Sequence, residues 1–126
     1  MRGKLTLVPL PLYDQDPICS KTKSTLEDAV NANSIILVEE LKPCRRRWIN
    51  YGLPRKAIDS FLIYNEHNQI KASSEIISFL KSGKDVLLMS DCGLPAFCDP
   101  GTHLISLCHE NQIPVTATPY ANSISL

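Results

Sequence analysis

The residues best suited to chemistry in this sequence are polar side chains that directly follow short apolar runs. They come after three separate runs, as Glu39 and Glu40, Glu66 and His67, and Asp91. Carboxylates and imidazoles are common general acids and bases. Continuous apolar runs are typical of buried parallel strands, and ligands bind beyond the carboxyl ends of such strands. We therefore predict that these side chains share one cleft. Helix capping is the alternative explanation for Glu39 and Glu40.

The most informative stretch is 90–101, which reads Ser-Asp-Cys-Gly-Leu-Pro-Ala-Phe-Cys-Asp-Pro-Gly. It follows the apolar run 85–89 and ends where Asp99 and Pro100 predict a helix start, with an N-cap acid before a first-turn proline. Because Asp99 is placed to cap that helix, Asp91 is available for a ligand. The sequence has no G-x-G-x-x-G fingerprint, P-loop or nucleophile elbow. An ordinary dinucleotide dehydrogenase and a P-loop NTPase are therefore disfavoured.

Apolar runs alternate with helical patterns along the whole chain. The capping box Ser24-Thr25-Leu26-Glu27 predicts a helix start, and Gly52 and Gly83 predict the ends of two later helices. Strands are predicted in five ranges: 4–8, 34–38, 61–64, 85–89 and 113–117. This alternation predicts an α/β fold, a three-layer α/β/α domain with a mostly parallel five-stranded sheet.

Composition limits the class of protein. With 126 residues, 44% of them hydrophobic, the chain fits one domain with its own core. Thirteen basic residues balance thirteen acidic ones, so global charge favours no partner. No apolar run is long enough to span a membrane, and no signal peptide is predicted. The five cysteines form no C-x-x-C pair, which predicts free thiols, no metal site and a cytoplasmic location.

Stretch 90–101 resembles the S-D-A-G-T-P-x-x-S-D-P-G signature of the tetrapyrrole methylase superfamily. Further motifs occur in the same order and at similar spacing, and the resemblance covers essentially the whole chain. It is closest to the branch that methylates ribosomal RNA, with the motifs L-V-P-T-P-I, E-D-T-R followed by R-R, Y-H-E-H-N, and I-P-V followed by P-G-P-S-A. The corresponding ranges here are 7–12, 39–46, 64–68 and 113–123.

The resemblance implies a two-domain, class III methyltransferase that binds S-adenosylmethionine in a cleft between its domains. Residues 1–126 would form the N-terminal domain, and a C-terminal domain is expected outside this chain. The isolated chain is therefore expected to have little activity. By resemblance, the cofactor site would be lined by Pro9, Leu12, Asp91, Cys92, Gly93, Leu94, Asn122 and Ser123.

The same resemblance implies a reaction and its partners. The acceptor would be the ribose 2′-hydroxyl of a cytidine in 16S rRNA, the partner the 30S subunit, and the enzyme a homodimer. Lys42, Arg45 and Arg46 would contact the RNA, although consecutive arginines can also be a solvated helix face. The candidates for the base that removes the hydroxyl proton are Glu39, Glu40, Glu66 and His67, without a ranking.

Several positions depart from the family pattern. Leu94 replaces a threonine, Tyr120 replaces a glycine and Lys42 replaces an arginine. These changes leave two alternatives open. One is an enzyme of the same fold acting on a tetrapyrrole or small metabolite, and the other is a non-catalytic binding or dimerisation domain. Trp48 and Tyr51 are expected to pack on the sheet rather than to stack on bases.

Overall fold

The fold is an α/β domain built on a parallel sheet, as the sequence predicts. The computed structural model describes residues 3–9, 20–65, 67–90 and 99–117. Within these ranges the sheet has five strands in the order β3-β2-β4-β1-β5, and every neighbouring pair is parallel. The strands are β1 (Leu5–Pro9), β2 (Ile35–Val38), β3 (Leu62–Ile63), β4 (Val86–Ser90) and β5 (Val115–Ala117).

Helices cover both faces of this sheet. They are α1 (Ser20–Asn31), α2 (Leu41–Asn50), a 3₁₀ helix (Arg55–Ser60), α3 (Gln69–Lys81) and α4 (Asp99–Glu110). Buried residues of α1 and α2 pack on one face, and those of α3 and α4 on the other. Right-handed crossovers require this division, because β1 and β2 connect toward one edge of the sheet and β3 and β4 toward the other. No helix in the described ranges is long and apolar enough to cross a membrane.

Trp48 is the centre of the core on the α1–α2 face. Its side chain has no exposed surface, and its ring meets Phe61 edge to face, with centroids 5.0 Å apart. The indole Nε1–H donates to the carbonyl oxygen of Pro54 at 2.7 Å, so the buried polar atom is satisfied. Tyr51 is buried in the same cluster. The prediction that Trp48 and Tyr51 pack on the sheet is confirmed.

The opposite core contains a buried polar pair. The Tyr64 hydroxyl and the Ser73 hydroxyl lie 2.7 Å apart, and both residues are buried. Leucine, isoleucine and valine side chains from the sheet, α3 and α4 surround this region. The pair joins the end of β3 to α3, and α3 leads into β4. It therefore helps to fix the segment that follows β3 at the carboxyl edge of the sheet.

Two predicted helix ends are confirmed and one predicted start is wrong. Gly52 and Gly83 follow α2 and α3 with φ of 75° and 98°, the left-handed conformation that glycine adopts without steric cost. However, α1 begins at Ser20, before the capping box. The Thr25 hydroxyl donates to the Lys21 carbonyl at 2.9 Å. This bond to the preceding turn is typical of a threonine inside a helix, and Ser24, the first residue of the capping pattern, lies inside the helix as well.

Candidate functional site

The sheet has a topological switch point between β1 and β4. These strands are neighbours and end level with each other, with Pro9 paired to Ser90. The chain leaving β1 crosses by α1 to β2, whereas the chain leaving β4 crosses by α4 to β5 on the other side. Because the two connections diverge, this topology predicts a crevice beyond the carboxyl ends of these strands. Ligands of open α/β sheets bind in this kind of crevice.

The predicted cofactor residues relate directly to this crevice. Pro9 is the last residue of β1, and Ser90, the last residue of β4, directly precedes Asp91. The structure thus brings together the points from which two predicted cofactor loops start. The third predicted segment follows β5, which pairs with β1 on its other side. Seven of the predicted cofactor residues lie outside the described residues: Leu12, Asp91, Cys92, Gly93, Leu94, Asn122 and Ser123.

Glu39 lies beside the same crevice. It directly follows β2, and β2 pairs with β4 in a register that sets Leu37 opposite Leu88. By that register Glu39 is level with Ser90. The residue is partly buried, and its backbone carbonyl accepts a 3.4 Å hydrogen bond from the Asn65 side-chain amide. The segments after β2 and β3 are therefore in contact, as the sequence predicts for polar residues at neighbouring strand ends.

The other base candidates are differently placed. Glu40 is exposed and occupies the N-cap position of α2, but its side chain makes no capping hydrogen bond. The capping explanation is therefore wrong for Glu40. His67 is exposed in the turn before α3, and Glu66 lies outside the described residues.

Two asparagines of the polar group that follows the third predicted strand, Asn65 and Asn68, hydrogen-bond to each other after β3. The Asn65 side-chain oxygen accepts from the backbone N–H groups of His67 at 2.9 Å and Asn68 at 3.3 Å. The Asn68 side-chain oxygen in return accepts from the Asn65 backbone N–H at 2.9 Å. Its amide donates to the Ile63 carbonyl at 2.8 Å. Reciprocal asparagine hydrogen bonds of this kind satisfy backbone groups locally, and one of them includes the backbone N–H of His67.

The predicted RNA-contact residues share one helix and, at spacings of three and four residues, one exposed face of it. Lys42, Arg45 and Arg46 are exposed on α2, whereas Arg47 is buried. Of the chain's thirteen lysines and arginines, six lie in one run that has no aspartate or glutamate between 41 and 58. These are Lys42, Arg45, Arg46, Arg47, Arg55 and Lys56. Positive charge is therefore concentrated on α2 and the 3₁₀ helix, although the whole chain is neutral.

Cys108 is not suited to nucleophilic chemistry. It is fully buried on α4, and burial raises the pKa of its thiol to about 11. The thiolate is the reactive form, and it is scarce at neutral pH when the pKa is this high. Cys44 is also a buried free cysteine, which agrees with the prediction of free thiols. No group of three or more His, Cys, Asp or Glu side chains in the described ranges is arranged to hold a metal ion.

A cavity of about 380 Å³ lies at the amino edge of the sheet. Its lining includes Asn33 and Ser34, which precede β2, and Lys84, which lies just before β4. This edge is opposite the switch point, and the connections that line it are short returns from helix to strand. We therefore assign the candidate site to the crevice at the carboxyl edge and not to this cavity.

Comparison with known proteins finds several relatives that share one name. No model of a known protein family matches the chain. The chain is 32% identical over 124 residues to ribosomal RNA small subunit methyltransferase I of Mesomycoplasma conjunctivae. The aligned residues make up 98% of this chain and 49% of that protein. The protein of the same name from Thermotoga maritima is 29% identical over 123 residues, covering 98% and 52%. The Bacillus subtilis protein is 32% identical over 103 residues, covering 82% and 32%. The chain spans about half the length, or less, of these curated relatives.

Proposed function

Because this chain is homologous to the N-terminal half of ribosomal RNA small subunit methyltransferase I over 98% of its length, we propose that it forms one half of a methyltransferase. The methyl donor is S-adenosylmethionine, and the acceptor is a ribose 2′-hydroxyl of a cytidine in 16S rRNA. The chain acts in the cytoplasm, as part of a homodimer that docks on the 30S subunit. A second domain supplies the other wall of the cleft.

The observation that carries this proposal is the pairing of Pro9 with Ser90 at the switch point. The segments that follow these two residues are the ones that match the family's cofactor motifs. A phosphate-free nucleoside needs no glycine-rich phosphate loop, which agrees with the absence of one in the sequence. The sulfonium of the cofactor is cationic, Glu39 follows β2 beside the switch point, and the sequence has a further carboxylate, Asp91, directly after Ser90. The residues present fit a cationic nucleoside ligand.

The protein's part in the reaction is alignment and proton removal. When bound, S-adenosylmethionine supplies an electrophilic methyl group. An in-line displacement depends strongly on holding the nucleophile at the correct distance and angle. The 2′-hydroxyl must also lose its proton. Of the described candidates, Glu39 is partly buried beside the crevice, whereas Glu40 and His67 are exposed. We assign the base role to Glu39.

Cofactor binding is the first test. Isothermal titration of the full-length gene product with S-adenosylmethionine should give saturable binding, and Asp91→Ala should weaken it at least tenfold. Asp28→Ala is the matched control, because it removes the same charge from an exposed position on α1. No detectable binding by the unaltered protein would contradict the proposed function.

Methyl transfer is the second test. Labelled cofactor should transfer its methyl group to 30S subunits, and Glu39→Gln should lower kcat more than Glu40→Gln does. Labelling of a tetrapyrrole with unlabelled RNA would instead support the same-fold alternative. Cofactor binding without transfer to any acceptor would support a non-catalytic domain.

A further inference from the structure

A groove runs beside the edge strand β3. It has a volume of about 420 Å³ and lies between α2, the 3₁₀ helix and β3. Its apolar lining includes Leu41, Ile49, Ile58 and Ile63. Leu41 and Ile63 are both exposed, so the groove presents two large apolar side chains at the surface.

The direction of the chain shows which end of the groove lies at which edge of the sheet. Leu41 follows the Glu39–Glu40 pair, and Ile63 precedes the turn that contacts Glu39. This end therefore opens at the carboxyl edge of the sheet. Arg55 and Ile58 belong to the 3₁₀ helix before β3, so they lie toward the other end. By strand spacing, β3 is about 10 Å from β4. A chain lying in the groove can thus reach the crevice within a few units.

The charge of the groove is positive. Arg45 and Arg55 line it from α2 and the 3₁₀ helix and are both exposed, and among the described residues Asp59 is the acidic one in its lining. Lys42 and Lys56 are exposed on the same two helices. Arginines next to apolar surface suit single-stranded nucleic acid, because phosphates bind the guanidinium groups and unstacked bases cover the apolar surface. An apolar protein segment would leave the arginines without partners.

We propose that this groove binds the single-stranded RNA flanking the nucleotide to be methylated. Arg45 and Arg55 each hold a phosphate, and Leu41, Ile58 and Ile63 contact an unstacked base. This inference rests on the proposed function, which names RNA as the substrate. It goes further, since it selects Arg45 over Arg46, adds Arg55 and assigns a base-binding role to an apolar surface outside the cofactor crevice.

The phosphate contacts are tested by removing both arginines. A short fluorescein-labelled single-stranded RNA is titrated into the full-length protein by fluorescence anisotropy over a series of salt concentrations. Arg45→Ala/Arg55→Ala should weaken binding roughly tenfold and reduce the slope of log K against log salt by about 1.4, the value for two lost phosphates. The control Lys71→Ala/Lys81→Ala removes two exposed charges from α3, on the other face, and should change neither quantity appreciably.

The base contact has a matched control on the same strand. Ile63→Thr should weaken binding of the single strand about fourfold, the equivalent of one buried methylene. Leu62→Thr alters the adjacent residue, which is 41% exposed against 37% for Ile63 and points to the opposite face of the sheet. It should leave binding unchanged. The same RNA annealed to its complement should bind more weakly, because its bases are stacked inside the duplex.

The outcomes separate this proposal from the proposed function. If the protein transfers methyl groups but the groove variants bind RNA as tightly as the unaltered protein, the proposed RNA-binding groove is wrong. The methyltransferase assignment would then still stand. RNA binding that depends on the groove, in a protein that does not bind the cofactor, would support the groove and contradict the methyltransferase assignment. A dimer dissociated by Ile63→Thr, with RNA affinity unchanged, would identify the groove as a contact between copies and contradict the proposal. Thermal unfolding of each variant distinguishes lost binding from lost folding.

Discussion

The hydroxyl pair of Tyr64 and Ser73 is the clearest case of a polar group placed in the core. Both residues are buried, and their oxygens are 2.7 Å apart. Desolvation by burial raises the pKa of the Tyr64 hydroxyl, so it is neutral at all ordinary pH values. Its contribution is therefore a neutral hydrogen bond, whose removal leaves the partner oxygen buried in apolar surroundings.

We expect Tyr64→Phe to lower the free energy of unfolding by about 1–2 kcal/mol, because Ser73 loses its partner. The double variant Tyr64→Phe/Ser73→Ala should be destabilised by less than the sum of the two single changes. Urea unfolding of the four proteins measures this coupling. Strictly additive effects would mean that the two hydroxyls do not support each other.

Cys108 gives a pH dependence whose sign follows from its environment. Its pKa is about 11 when folded, against 9.0 for an ordinary thiol. Below about pH 8 the thiol is protonated in both states, so its contribution is fully present. Between pH 9 and 11 only the unfolded chain loses the proton, which favours unfolding by up to about 1.4 kcal/mol per pH unit.

The stability of the unaltered chain should therefore fall more steeply above pH 9 than that of Cys108→Ala. The difference should reach about 2–3 kcal/mol near pH 11, measured by urea unfolding across the range. Below pH 8 the difference between the two proteins should be constant. Parallel curves over the whole range would show that the folded-state thiol titrates normally.

Gly3 and Gly52 are needed for different structural reasons, one steric and one conformational. A Cβ on Gly3 would strike the backbone carbonyl of Lys84, and the Gly3 N–H donates to the Leu80 carbonyl at 2.7 Å. Gly3 therefore permits a close approach between the start of β1 and the connection from α3 to β4. A Cβ on Gly52 would lie 3.5 Å from the Lys23 ammonium, an ordinary contact. Glycine is therefore favoured at position 52 by its φ of 75° and not by lack of space.

We expect Gly52→Ala to destabilise the fold by about 1 kcal/mol, and Gly52→Asn by less, because asparagine tolerates this conformation. Gly3→Ala should have a larger effect, about 2–3 kcal/mol, since two backbone segments must move apart. Thermal unfolding of the three variants gives the order. An effect of Gly52→Ala equal to that of Gly3→Ala would contradict the distinction.

The elements that sequence predicts well are those with local causes. The run 85–89 gives β4 (Val86–Ser90) because a doubly covered strand is apolar throughout, and Gly52 ends α2 because the turn needs its φ. The 3₁₀ helix Arg55–Ser60 was not predicted, since a six-residue segment carries too little periodicity. The start of α1 was predicted wrongly because the capping-box pattern that begins at Ser24 lies inside the helix, which already begins at Ser20.

The candidate site was predictable only in part, because it depends on the order of the strands in the sheet. The sequence locates polar residues at strand ends, but strand order depends on pairings between distant residues. Insertion of β4 between β1 and β2 is what sets Ser90 beside Pro9 and brings Glu39 level with both. No local pattern predicts this insertion. The groove at β3 was likewise not predicted, since its lining comes from three separate elements.

This topology also predicts how a bound cofactor changes the dynamics of the molecule. A ligand in the β1–β4 crevice stabilises the folded state by mass action, and the opening of contacting segments is suppressed most. Hydrogen exchange with S-adenosylmethionine should therefore slow mainly around Pro9 and Ser90, at the carboxyl edge. Amides near Ser34 and Lys84, at the amino-edge cavity, should change only as much as global stability does. If protection were instead greatest at Ser34 and Lys84, the cofactor would bind at the opposite edge and the switch-point assignment would be wrong.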